Sequence, residues 1–101
     1  MRREGERSYR KYRFQAKKIR REKLPKLISQ REKAIARIEA ELARLQAIED
    51  ELEEKYAASK DESTRKRLDK VRRKRARLAN KRDRLIEEKK QLNKMYKEAV
   101  T

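Results

Sequence analysis

Apolar residues in this chain recur at alternating steps of three and four. Ile35, Ile38, Leu42, Leu45 and Leu52 form one series, and Leu68, Val71, Leu78, Leu85 and Leu92 form a second after a short polar break. Such steps keep side chains on one stripe of an α-helix, so two series predict two helices that bury their stripes against each other. The expected fold class is all-α: a long antiparallel two-helix coiled-coil hairpin with a basic, partly helical N-terminal arm.

The register extends beyond the apolar positions. In the first helix Ile28, Ile35, Leu42, Glu49 and Tyr56 take position a, and Leu24, Arg31, Ile38, Leu45 and Leu52 take position d. In the second, a is Leu68, Arg75, Arg82, Lys89 and Tyr96, and d is Val71, Leu78, Leu85, Leu92 and Ala99. Folding the two about residue 60 sets every a against a d whose numbers sum to 120, Leu52 with Leu68 and Ile35 with Leu85 among them. Agreement between local pattern and global pairing marks an intramolecular hairpin.

Punctuation divides the chain at two places. Proline pushes its predecessor out of the α region, so Leu24-Pro25 predicts either a helix start or a kink in a continuous helix. Residues 1–23 are then a basic arm, partly disordered or helical, and residues 24–101 the hairpin, with helix 25–57, turn 57–60 and helix 60–99. Ser59 followed by Glu62 matches a capping box that would start the second helix at Lys60.

Some layers depart from the pattern. Arg75 and Arg82 face Leu45 and Ile38 and are expected to lay their stems over them, with their charged heads in water or at Glu41. The Arg31/Lys89 layer sets like charges together, with only Glu32 and Glu88 placed to relieve it, and is the expected weak point. At the flanks the register sets Glu41 near Lys81, Glu53 near Arg65 and Leu27 near Met95. Ile48, Ile86 and Val100 fall outside the seam and mark an expected interaction surface for self-association or docking.

Composition narrows the function. Of 101 residues, 51% are charged and 35% hydrophobic, too little apolar material for a thick core. Cysteine and histidine are both absent, which removes thiolate chemistry and the usual near-neutral acid or base; an enzyme, a metal site and a cofactor are not expected. No Gly-rich phosphate loop or catalytic triad is present. The Arg-rich start contains Glu4, Glu6 and Glu22 and no apolar run, so neither a secretory signal nor a transit peptide is expected. The expected location is intracellular, in the cytoplasm or nucleoid, or in a virion.

The charge then points to a partner. Thirty-four Lys and Arg against 18 Asp and Glu give +16, a self-repulsion that a polyanion relieves. Residues 1–38 hold 15 basic and 4 acidic side chains, residues 39–62 hold 3 and 9, and residues 63–101 hold 16 and 5. The hairpin therefore predicts a positive open end and an acidic tip. Candidate phosphate contacts are Arg2, Arg3, Arg7, Arg10, Lys11, Arg13, Lys17, Lys18, Arg20, Arg21 and Lys23 of the arm, with Lys66, Lys70, Arg73, Arg77, Arg84 and Lys90 on the outer face of the second helix. Tyr9, Tyr12 and Phe14 either stack on bases or pack against protein. Cations without base-reading geometry give affinity and salt dependence with little sequence specificity.

The expected partner is thus nucleic acid, RNA or DNA, in a nucleoprotein assembly; no membrane or small-molecule substrate is expected. The alternative is a structural coiled-coil protein that assembles with itself or in a larger protein complex. The acidic tip, Glu49, Asp50, Glu51, Glu53, Glu54, Asp61 and Glu62, gives a third reading. In shape and charge it resembles the acidic-tipped hairpins of bacterial transcript-cleavage factors, which implies a divalent cation at the tip and action on RNA polymerase.

Overall fold

The computed structural model describes the backbone of residues 2–101 and the side chains of residues 17–101. It contains two helices in a hairpin, α1 (Arg2–Ser59) and α2 (Glu62–Val100), and no strand among the described residues. The chain divides into two compact units, residues 33–86 around the reversal and residues 1–32 with 87–101 at the open end.

In the unit around the reversal, Ile38 and Leu45 of α1 and Leu68 of α2 are buried, and Ile35, Leu42, Leu52, Val71, Leu78 and Leu85 are half-buried beside them. In the open-end unit Leu24 and Ala99 are buried, with Ile28, Leu92 and Tyr96 half-buried. Every one of these is a seam position of the three-four pattern, because that spacing alone keeps a stripe facing its partner over many turns. Among the described residues no large side chain is fully enclosed. A two-helix layer leaves each stripe open at its flanks, so stability rests on few contacts.

α1 runs through Pro25 instead of beginning there. Proline removes one i→i−4 bond, whose acceptor is the carbonyl of Arg21. Pro25 itself is exposed while its neighbour Leu24 is buried, so water reaches the interrupted turn on the outside and packing holds the inside.

The reversal lies slightly later than the spacing predicts, and its cap is a different residue. Ser59 still belongs to α1, and its hydroxyl donates to the Lys55 carbonyl at 2.8 Å, so it does not cap α2 as a Ser59/Glu62 box. Lys60 follows with φ 50° and donates its N–H to the Tyr56 carbonyl at 2.7 Å, closing α1 with a left-handed residue where glycine is usual. Asp61 is the cap of α2. Its carbonyl accepts from the Arg65 N–H at 3.1 Å, and its carboxylate accepts from the Ser63 N–H at 3.3 Å and the Ser63 hydroxyl at 2.7 Å.

The Ser63 bonds hold the Asp61 carboxyl below its ordinary value of 3.8. A depressed pKa adds stability that is complete above the unfolded value and disappears as pH falls through the folded one. The thermal midpoint, followed by circular dichroism, should therefore fall on acidification below about pH 4. Asp61→Ala should lower the midpoint at neutral pH and make that acid-side fall shallower.

Candidate nucleic-acid interface

The helices sort the cations into two sets. The first faces the seam and is neutralised within the fold. Glu49 is a seam residue only 5% exposed, and its two carboxylate oxygens take two arginines of α2: Oε1 accepts from Arg72 Nε at 3.2 Å, and Oε2 accepts from Arg75 Nη1. Arg72 also donates to Glu53 at 3.0 Å, and Arg75 to Gln46. These bonds, Glu53 first and then Glu49, raise the Arg72 guanidinium above its ordinary pKa. Arg75 therefore turns to Glu49 and Gln46, not to Glu41, and Arg82 turns to its neighbour Asp83 at 3.4 Å.

Glu41 is held elsewhere. Arg44 donates to it at 3.0 Å from one turn away, and Lys74 lies 3.7 Å from it across the hairpin. The Arg44 bond is the main reason the Glu41 carboxyl sits below its usual range. Neither Lys81 beside Glu41 nor Arg65 beside Glu53 forms the flank pair that the register predicts; Arg65 pairs with Glu62 at 3.9 Å.

The Arg31/Lys89 layer is relieved by a crossed exchange. Arg31 donates to Glu88 at 2.8 Å, and Lys89 lies 3.3 Å from Glu32. All four side chains are at least a third exposed, so each pair adds no more than about 1 kcal/mol. Their effect is to remove repulsion from a layer that would otherwise open.

Because Glu49 is buried and its arginines are not, the triad can be dissected. Replacing a buried ionic group with a well-packed apolar one is often neutral or stabilising, whereas truncation leaves a gap and stranded charges. Glu49→Leu, set opposite the half-buried Val71 in the expected register, should leave the urea midpoint unchanged or raise it. Glu49→Ala should cost about 1–3 kcal/mol in the same titration, less than a fully buried pair because water reaches both guanidiniums.

The second set of cations is exposed and unneutralised. Lys66, Lys70, Arg73, Arg77, Arg84 and Lys90 of α2 all face solvent, and among the described residues no carboxylate lies within 4.0 Å of them. Lys70, Arg73, Lys74, Arg77 and Leu78 line a shallow concavity. Of the arm, Lys17, Lys18, Arg20 and Lys23 are exposed on α1. Arg21 is engaged: its Nε donates to the Ala99 carbonyl at 2.8 Å, capping the last turn of α2. The side chains of Arg2, Arg3, Arg7, Tyr9, Arg10, Lys11, Tyr12, Arg13 and Phe14 lie outside the described residues.

Ile48 and Ile86 are half-buried along the flanks of the seam, so less apolar surface is available there than the sequence pattern suggests, while Val100 is 46% exposed. The acidic tip does not converge. Among the described residues no group of three or more carboxylates is placed to hold a metal ion, and Glu49 and Glu53 are already taken by arginine. Among the described residues no helix is long and apolar enough to cross a membrane. Comparison with protein-family models, with curated proteins and with solved structures finds no match.

Proposed function

We propose that this chain is a non-catalytic nucleic-acid-binding protein whose coiled-coil hairpin carries a basic arm and a basic helix face, both of which contact phosphate with little sequence specificity. The observation that carries the reading is the sorting of charge. Cations at the seam are matched with carboxylates, while those on the outer face of α2 are exposed and, among the described residues, unmatched within a chain of +16. Unmatched cations on a rigid helix raise the energy of the free protein, and a polyanion lowers it by releasing its own counterions. Arm residues Arg2 to Lys23 add a second cationic segment, with Tyr9, Tyr12 and Phe14 available for stacking.

An alternative assembly role has Ile48, Ile86 and Val100 as the docking surface; partial burial of Ile48 and Ile86 in the hairpin counts against it, and the 46% exposure of Val100 does not. The test is direct. Purified protein should carry absorbance at 260 nm that high salt removes, and should bind labelled duplex DNA and single-stranded RNA near 50 mM salt. Absence of binding to both overturns the proposal.

A further inference from the structure

The cations of α2 are not spread evenly around it. Arg67, Lys70, Lys74, Arg77, Lys81 and Arg84 each immediately precede a seam position, namely Leu68, Val71, Arg75, Leu78, Arg82 and Leu85. They share the three-four alternation of the seam and therefore hold a constant offset from it, forming one unbroken edge. All six are exposed, and among the described residues only Lys74 has a carboxylate within 4.0 Å. The residues that immediately follow the same seam positions are Asp69, Arg72, Ala76, Ala79, Asp83 and Ile86. That opposite edge has a single cation, and Arg72 is bound to Glu49 and Glu53. The row stops at Glu88, which takes Arg31, and does not extend before Ser63.

Resting on the nucleic-acid reading above, we propose that this edge of α2, Arg67 to Arg84, is a track for the phosphate backbone of a double-stranded nucleic acid. The row covers about 26 Å at 1.5 Å per residue. A duplex presents roughly one charge per 1.7 Å of its axis, so about fifteen phosphates pass within that length whatever the sequence. Each α-helix is about 10 Å across, so a packed pair is too broad for a major groove roughly 12 Å wide, and the edge rests on the backbone outside it. Single strands are held in large part by aromatic stacking, and this edge has no aromatic residue. Counterion release per contact is also greater from duplex, about 0.9 against 0.7 for a single strand.

The experiment compares two triple variants of the full chain. Lys70→Gln/Arg77→Gln/Arg84→Gln removes alternate members of the track. Lys26→Gln/Lys33→Gln/Arg37→Gln removes three exposed cations of α1, an equal change in net charge. All six substitutions lie outside the seam. Binding to a duplex DNA of about 30 base pairs and to one of its strands is measured against salt. The track variant should flatten the duplex slope by about 2.7 and weaken duplex binding about a hundredfold or more near 100 mM salt. The α1 variant should change that slope by less than about 1, and the track variant should change the single-strand slope by less than about 1. Equal flattening by both triples overturns the track while leaving nucleic-acid binding standing. So does a loss on the single strand as large as that on duplex. If the unaltered protein binds neither, the underlying function and the track fail together.

Discussion

Leu45→Ala should remove most of the stability of the hairpin. Leu45 is 3% exposed, among the most buried side chains in the chain, and it lies in the stripe of α1 between Ile38 and Leu52. Truncating a buried leucine costs about 2–5 kcal/mol, through lost transfer energy and the cavity left behind. A small scaffold with one thin core has only about 3–5 kcal/mol to lose. Arg75, the residue expected to face Leu45, cannot fill the gap, since its guanidinium is tied to Glu49 and Gln46. The expected result is a thermal midpoint lower by about 10–25 °C and a reduced helical signal at 37 °C. Val100→Ala is the matched comparison. It removes apolar atoms from a residue 46% exposed and should move stability by less than about 0.5 kcal/mol. If both variants melt alike, the seam does not hold the helices together.

Much of this was legible in the sequence because the three-four alternation is a geometric constraint, not a propensity. Leu24, Ile38, Leu45 and Leu68 were placed by it and are buried. So was the exchange that relieves Arg31 and Lys89, since Glu32 and Glu88 are the only carboxylates one residue from that layer. The reversal was less legible in detail. Ser, Asp and Lys occupy it without glycine, and three neighbouring hydroxyl or carboxylate groups compete to cap α2. Asp61 wins because Ser59 still lies inside α1, where its hydroxyl reaches back to Lys55. At Pro25 the sequence leaves a helix start and a continuous helix both open, and the helix continues, a single lost backbone bond being set against the buried Leu24 and half-buried Ile28.

The flank cations show where pattern reading stops. Counting outer positions finds Lys70, Arg77 and Arg84 but passes over Arg67, Lys74 and Lys81, which the heptad places at the shoulder of the seam, where pairing across the hairpin is expected. Among the described residues only Lys74 of these three makes such a pair. On α1, Glu41, which the register sets near Lys81, is already held by Arg44 and Lys74, and Glu53 by Arg72. The signal available in advance was the residue preceding each seam position, read as a row of its own.

Salt should weaken nucleic-acid binding steeply, and the sign of that response separates the two functional readings. A protein that neutralises six to ten phosphates loses about 10³–10⁵ in affinity between 50 and 200 mM salt, because the counterions it displaces become harder to release. Apolar self-association responds in the opposite sense or hardly at all, since excluded salts strengthen burial. Deleting residues 1–23 removes eleven cations and three carboxylates, which halves the net charge to +8. On the phosphate-contact mechanism the deletion flattens the slope of log affinity against log salt by at least about 3, even if fewer than half of those cations touch phosphate. A truncated chain with the original slope would remove the arm from the interface and leave the α2 face as the binding surface. Affinity that is flat or rises across the same salt range would instead mean that apolar contact, not phosphate, holds the partner.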